Sequence, residues 1–210
     1  MPMQHALALS RPIPRVKTQP ARGPVELDLF RVWARRIRES DASALEAFFR
    51  AVHAPLVRYA TRFVPESSAE DVVQDAFVRI WNGRERIDPS QSLKAFAYRT
   101  VRNLCLNRIR DGKTRDSLLA ERYEVPISAA PDPDDELVHS DFAERLRDWI
   151  GELPARQREA LELSRFQGLS HEEVAEAMDL SPRTVNNHLV NALRAIRDRV
   201  RAYEPTLLDS

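Results

Sequence analysis

The residues of this chain best suited to chemistry are hydrogen-bonding side chains spaced along one predicted helix near the C-terminal end. Ser181 is predicted to cap that helix, and Pro182 to occupy its first position, where no backbone N–H is needed. Its first turns would then present Arg183, Thr184, Asn186, Asn187, His188 and Asn191. Because arginine pairs with guanine and asparagine with adenine in the major groove, this set predicts a helix that reads base edges.

The segment just before that helix predicts how it is held. Ser170 and Glu173 have the spacing of a capping box, and Asp179 lies at a turn where a left-handed backbone is needed. Small Ala175 would let the second helix cross the first closely. Buried stripes are predicted at Val174, Ala175 and Met178, and at Val185, Leu189, Leu193, Ile196 and Val200. The pattern is typical of a helix-turn-helix, and the alternative is an ordinary helical hairpin in a bundle.

A second set of residues interleaves cations, aromatics and amides on a long helix predicted from about Ser92 to Asp111. The set comprises Lys94, Phe96, Tyr98, Arg99, Arg102, Asn103, Asn107, Arg108 and Arg110. Cations contact phosphates and rings stack on unpaired bases, so the helix suits single-stranded DNA. The alternative is a basic amphipathic helix whose aromatics belong to the core, and the sequence alone does not separate the two.

A third set is acidic and lies on a helix predicted between Pro65 and Trp81, with Ser67 and Glu70 as its capping box. Its buried stripe is Val73, Ala76, Phe77 and Ile80. The other face carries Glu70, Asp71, Gln74, Asp75 and Val78. An acidic face is often merely solvated, but Gln74 and Val78 among the acids favour a docking surface for a basic partner.

Composition limits the class of protein. Across 210 residues, 32 basic and 32 acidic side chains give no net charge, so a DNA-binding chain of this kind must segregate its charges or use its acidic surface for another partner. Five glycines argue against a β-sandwich, and the single Cys105 against a disulfide framework. No apolar run approaches the about 20 residues that span a bilayer. We therefore expect an all-α, soluble, cytoplasmic protein without direct membrane insertion.

Catalytic and metal chemistry find no support in the sequence. The histidines His5, His53, His139, His171 and His188 lack ligand spacing, and neither a nucleophile–base pair nor a Gly-rich phosphate loop is present. We expect no catalytic residue, no metal and no cofactor.

The same patterns divide the chain into two small helical domains joined by a flexible linker. A disordered basic arm is predicted over residues 1–25, a first helical domain over 26–112, and a second over 140–204, followed by a tail over 205–210. The linker, 113–139, contains Pro126, Pro131 and Pro133 and ends in acidic residues, so we expect it to be extended and mobile. Ser40 or Asp41 should cap the second helix of the first domain.

In this order, the elements resemble the extracytoplasmic-function (ECF) group of bacterial sigma-70-type RNA polymerase sigma factors. Residues 69–81 resemble the group's region 2.2, and residues 96–110 resemble regions 2.3 and 2.4. Residues 153–159 and 168–175 are similar to region 4. The resemblance covers about residues 26–202.

The resemblance implies roles for the three sets. Glu70, Asp71, Gln74, Asp75 and Val78 would dock on the clamp helices of the polymerase β′ subunit. Promoter −10 DNA would be captured by Arg84, Arg86, Lys94, Phe96, Arg99, Arg102, Asn103 and Asn107, and the −35 element by Arg183, Thr184, Asn186, Asn187, His188 and Asn191. The linker would run through the polymerase toward the RNA path. The implied partners are core RNA polymerase (β′ clamp helices and β flap), promoter DNA, and an anti-sigma factor, either free or membrane-anchored.

Two departures from the group's pattern bear on DNA sequence preference. Asn107 stands where the group usually has aspartate, and Arg183–His188 is less basic than usual, similar to iron-starvation sigma factors and to LuxR-type regulators. A LuxR-type helix-turn-helix regulator without sigma activity is therefore the main alternative, although it leaves residues 69–110 unexplained. An anti-sigma protein or a sigma mimic is a further alternative, but the His and paired-Cys pattern of zinc-binding anti-sigma proteins is absent.

Overall fold

The computed structural model describes residues 24–115 and 141–203, which contain α-helices, one 3-10 turn and no β-strand. The helices are α1 (Pro24–Arg38), α2 (Ala42–Ala60), α3 (Glu66–Asn82), α4 (Leu93–Arg115), α5 (Asp141–Gly151), α6 (Ala155–Arg165), α7 (His171–Met178) and α8 (Pro182–Tyr203), with the 3-10 turn at Arg84–Arg86. The all-α prediction is confirmed. The predicted arm up to residue 23, most of the linker and the tail lie outside the described residues.

Aromatic and branched side chains build the core of the first helical domain, α1–α4. Phe48 of α2 is fully buried, and its ring centroid lies 5.9 Å from that of Phe30 in α1 and 5.6 Å from that of Phe77 in α3. Such edge-to-face and tilted ring contacts add to the free energy gained by burial. The predicted α3 stripe is confirmed, and Val72 and Val73 are fully buried.

Helix starts in the first domain follow local chemistry, with one error in the prediction. Asp41 caps α2 as expected, since its Oδ1 accepts from the backbone N of Ser43 at 2.9 Å and of Ala44 at 3.2 Å. Hydrogen bonds from Ser43 and Arg36 lower the pKa of Asp41 to about 2. The capping box predicted at Ser67 is wrong: α3 starts after Pro65, which leaves Ser67 inside the first turn, and no side chain caps the helix.

α4 continues beyond the end predicted for it. It reaches Arg115 instead of about Asp111, so its last turn includes residues that the sequence analysis assigned to the linker. No proline follows until Pro126, so nothing in this stretch forces the helix to end earlier.

The second helical domain, α5–α8, contains the predicted helix-turn-helix. Ser170 and Glu173 form the capping box that starts α7, and Asp179 ends that helix in the left-handed conformation at φ 56°. Met178 and Val185 are buried where α7 and α8 pack together. The two domains are also in direct contact, because α4 lies along α7. None of the described helices is long and apolar enough to cross a membrane.

Candidate DNA and protein interfaces

The predicted base-reading residues occupy the start of α8. Ser181 Oγ accepts from the backbone N of Thr184 at 3.1 Å and bonds its hydroxyl at 2.8 Å, so Thr184 is part of the helix cap. Val185 and Leu189 face the core. As a result, one exposed row carries Arg183, Asn186, Asn187 and Asn191, with His188 half-buried at its margin.

The turn between α7 and α8 holds that row in a fixed orientation. Ala175 is buried where α8 crosses α7, and the backbone N of Leu180 donates to Ala175 O at 2.9 Å. In the capping box of α7, the backbone N of Ser170 donates a hydrogen bond to Glu173 Oε2 at 2.8 Å. The arrangement presents the first two turns of α8 outward, as DNA-reading helix-turn-helix units do.

The predicted docking surface lies on α3, and all its members are exposed. Val78 has 58% of its surface exposed and lies among the carboxylates of this face. Asp75 differs from its neighbours because Arg108 of α4 donates to its Oδ2 at 3.1 Å and also to Ser68 O at 3.2 Å. Within the described part of the chain, Asp71 has no such ion pair, so its charge is the more available to a partner.

In the loop before α4, Arg84 and Arg86 differ in their surroundings. Arg84 Nε donates to Ser40 Oγ at 2.9 Å and its Nη1 to Trp81 O at 2.9 Å, while its guanidinium lies 4.5 Å from the Trp81 ring centre. These contacts tie the end of α3 to the turn between α1 and α2. Arg86 is exposed, so of the two, only Arg86 extends into solvent.

Along α4, the residues predicted to capture DNA divide by burial. Asn103 and Arg99 are exposed, Phe96 and Asn107 are half-buried, and Arg102 retains 4% of its surface. Tyr98 is fully buried, which for this residue favours the core reading of the aromatics over base stacking. The basic face of α4 is therefore only partly open to solvent.

Contacts from the second domain explain that burial. Lys94 Nζ donates to Gln167 O at 2.8 Å, and Tyr98 Oη donates to Gln167 Oε1 at 2.8 Å. Ser92 Oγ donates to Glu173 Oε1 at 2.5 Å. A surface that the sequence assigned to DNA is thus in contact with α7 and the loop before it.

At the centre of this contact lies a buried polar cluster that the sequence analysis did not find. Glu159 Oε1 accepts from Arg102 Nε at 2.7 Å and from Tyr59 Oη at 2.8 Å, and the side chains of the ion pair are 5% and 7% exposed. Arg62 pairs with Glu162 beside it. No local signal marks these partners, because they lie 57 and 100 positions apart in the chain.

The cluster shifts the pKa of two side chains within it, Tyr59 and Arg62. Burial, and then the adjacent Glu159 carboxylate, raise the pKa of Tyr59 well above its usual value, because a phenolate there would be desolvated beside another negative charge. Burial, followed by repulsion from Arg158, lowers the pKa of Arg62 to about 10. The phenol therefore stays protonated and donates its hydrogen bond at neutral pH.

Neither a metal nor a nucleophile site emerges from the residues that the structure describes. Across 24–115 and 141–203, no three His, Cys, Asp or Glu side chains are grouped to hold an ion. Cys105 is buried, and burial raises the pKa of its thiol to about 12, which disfavours the reactive thiolate.

Two protein families match this chain, one on each helical domain. Sigma-70 region 2 matches residues 48–115, and Sigma-70 region 4 matches residues 143–196. Together they cover more than half of the sequence and fall on α2–α4 and α5–α8.

Three relatives align with this chain along most of their own length. The ECF RNA polymerase sigma-E factor of Haemophilus influenzae is 25% identical over 174 residues, spanning 79% of this chain and 92% of its own. The ECF RNA polymerase sigma factor SigK of a Mycobacterium species is 24% identical over 188 residues, spanning 86% and 95%. The sigma-E factor of Escherichia coli K12 is 24% identical over 178 residues, spanning 81% and 93%.

Solved structures share the fold. CnrH, in complex with the cytosolic domain of CnrY, aligns at a TM-score of 0.58 with 22% identity, covering 83% of this chain and 99% of that one. RpoE of Bartonella quintana, in complex with the anti-sigma factor NepR, aligns at 0.60 with 20% identity, covering 79% and 98%. At this level of identity, the likeness concerns the fold.

Proposed function

This chain belongs to the ECF group of the sigma-70 family of RNA polymerase sigma factors, and we propose how its surfaces divide the work of initiation. The first helical domain docks on core polymerase and opens the −10 element, and the second reads the −35 element. The observation that carries the proposal is that one chain presents both the acidic face of α3 and the base-reading row of α8 to solvent.

The face of α3 is suited to a basic helical partner. Glu70, Asp71 and Gln74 surround exposed Val78, so charge can steer the encounter while the apolar centre is buried on docking. We assign this face to the β′ clamp helices of core polymerase. The carboxylate of Asp71 should contribute more than that of Asp75, which already pairs with Arg108.

We assign binding of the −10 element to α4 and to the loop over residues 82–91. Exposed Arg86, Arg99 and Asn103 supply two cations and an amide that can contact phosphates and unpaired bases. Lys94, Phe96, Arg102 and Asn107 would join them on the same helix. Arg84 supports this surface by fixing the loop to Trp81 and Ser40.

We assign binding of the −35 element to the exposed row of α8. Arg183 and Asn187 lie on its first two turns and have the chemistry to pair with guanine and adenine, respectively. Asn186 and Asn191 belong to the same exposed row, His188 lies half-buried at its margin, and Thr184 contributes through the cap.

Further partners follow from the family. The fold is shared with CnrH bound to CnrY and with RpoE bound to the anti-sigma factor NepR, and we infer an anti-sigma partner for this chain as well. The second domain would also contact the β flap of the polymerase. Assignment to the iron-starvation branch rests only on the resemblance of residues 183–188, since the relatives named above are sigma-E and SigK factors. Initiation factors of this family are not catalysts, so no catalytic residue is assigned.

The test is transcription in vitro with core polymerase on a library of promoter fragments. We expect specific transcripts with the full chain that are absent with core polymerase alone. Their start sites should share −35 and −10 sequences at a fixed spacing. Arg183→Ala should lose part of the −35 preference, whereas the matched variant Arg50→Ala, an exposed arginine on α2, should not.

The same experiment separates this function from that of a LuxR-type regulator. Such a regulator would bind duplex DNA through α8 without core polymerase, and adding it to core polymerase would give no specific transcripts. That outcome, together with no measurable affinity for core polymerase, would overturn the proposal.

A further inference from the structure

The turn between α1 and α2 contains a serine in a backbone conformation that usually belongs to glycine. Ser40 has a φ of 68°, and its backbone N donates to Ile37 O at 2.9 Å. The backbone N of Asp41 donates to Arg36 O at 2.9 Å, which completes the hydrogen-bond pattern of a Schellman helix end. Glycine is the usual residue at the left-handed position of this motif, because a β-carbon there is strained. The serine accepts that strain, and its hydroxyl group is what glycine would not provide.

That hydroxyl group accepts a hydrogen bond from a distant part of the first domain. Arg84 Nε donates to Ser40 Oγ at 2.9 Å, although the two residues are 44 positions apart in the chain. The turn is itself held in place, because Arg36 Nε donates to Asp41 Oδ2 at 2.8 Å and Asp41 caps α2. Ser40 therefore offers a fixed acceptor beside the start of the loop that follows α3.

Three side chains hold the loop over residues 82–91 in its conformation. Ile87 is buried in the core of the domain. Asp88 Oδ1 accepts from the backbone N of Ser90 at 2.9 Å and from its hydroxyl at 2.7 Å, which closes a compact turn. Arg84 is the third, and it anchors the start of the loop. The exposed side chains of the loop are thus held in a defined arrangement.

We propose that Ser40 is a positioning residue for −10 recognition, because it fixes Arg84 and, through Arg84, the loop over residues 82–91. The inference rests on the assignment of this loop and α4 to −10 DNA. Ser40 acts without contacting the bases. A loop that is already held in its binding conformation loses less conformational entropy when DNA binds, so its affinity for the unpaired strand is higher.

The variant Ser40→Gly separates this role from a purely structural one. Loss of the hydroxyl and the greater freedom of glycine in the unfolded chain lower the stability, whereas relief of the left-handed strain raises it. These effects nearly cancel, so the Tm should change little. Affinity for the −10 strand should nevertheless fall by about 2- to 10-fold, the range expected for loss of one hydrogen bond.

The test measures binding of the holoenzyme, the full chain with core polymerase, to a fluorescein-labelled single strand. One probe is the −10 region of a promoter found in the transcription assay, and the second has the same composition in scrambled order. In Ser40→Gly we expect weaker binding of the −10 strand and a smaller ratio between the two Kd values, with no change in the Kd for core polymerase. Thr61→Ala is the matched control, since it removes a hydroxyl that donates to Arg58 O in the turn between α2 and α3.

Two further variants test whether Ser40 acts through Arg84. Ser40→Asn should retain most of the parent affinity, because asparagine tolerates the left-handed backbone and its amide oxygen can accept a hydrogen bond from Arg84. Arg84→Ala should weaken binding of the −10 strand. Adding Ser40→Gly to Arg84→Ala should cause no further loss, since the two residues act as one unit.

Three results would overturn the role of Ser40. The first is a −10 strand affinity in Ser40→Gly equal to that of the parent. The second is an equal loss of affinity for core polymerase, and the third is an undiminished loss when Ser40→Gly is added to Arg84→Ala. If the parent holoenzyme itself does not prefer the −10 strand to the scrambled strand, the assignment of the loop to −10 DNA fails as well, which distinguishes that failure from failure of Ser40 alone.

Discussion

Charge reversal at Asp71 on α3 is the sharpest test of how this sigma factor engages core polymerase. Asp71 is exposed and lies opposite the buried stripe of the helix, so Asp71→Arg should change the free energy of unfolding by no more than about 0.5 kcal/mol. Asp75→Arg also breaks an ion pair with Arg108 whose side chains are 37% and 57% exposed. Exposed pairs contribute at most about 1 kcal/mol, so this variant should fold too.

The effect on docking should be much larger than the effect on folding. Like charges facing each other in an interface cost several kcal/mol. Taking about 3 kcal/mol for Asp71→Arg against a basic helix, the Kd for core polymerase should rise by more than about 100-fold. The rise for Asp75→Arg should be smaller, because the Asp75 charge is already shared with Arg108.

The assay is equilibrium binding of labelled sigma factor to core polymerase at two salt concentrations. Glu46→Arg is the matched control, since Glu46 is an exposed acid paired with Arg50 on α2, away from the proposed face. Thermal unfolding of each variant reports its stability. If Asp71→Arg binds core polymerase as tightly as Glu46→Arg does, the α3 face is not the docking surface.

Three further predictions concern DNA and pH. Arg183→Ala and Asn187→Ala should each cost about 1–3 kcal/mol and relax the preference at one −35 position in a randomised library, whereas a residue that contacts phosphate would weaken all sequences alike. Asn103→Ala should reduce permanganate-detected opening of the −10 element, and a template with a pre-melted bubble should restore activity; lack of rescue would place Asn103 outside strand capture. Because the pKa of Tyr59 is raised in the folded protein, its contribution to stability is present below its unfolded value of 10.0 and is lost as the pH rises through the folded value. Urea unfolding should therefore show the parent protein losing stability relative to Tyr59→Phe only above about pH 10, and a constant difference between the two would contradict the assignment.

What the sequence determined by itself is local. The capping box of Ser170 and Glu173, the left-handed turn at Asp179 and the stripe of α3 depend on residues a few positions apart, and the structure confirms them. The same kind of signal failed at Ser67, because the helix cap lies two residues earlier, at Pro65, and nothing in the spacing excludes that. The family resemblance likewise rests on short ordered motifs, which the matches to regions 2 and 4 bear out.

What the tertiary structure decided concerns pairs that are distant in the chain. A row of cations and aromatics on α4 has the same pattern whether it faces water, DNA or another domain, so the sequence left those readings open. In the structure, Arg102 is buried and donates a hydrogen bond to Glu159 of α6, and Tyr98 donates one to Gln167 in the loop before α7. On the side of α4 that faces α3, Arg108 donates to Asp75. Burial and charge pairing depend on which surfaces meet in three dimensions, and residue spacing within one helix carries no information about its partner.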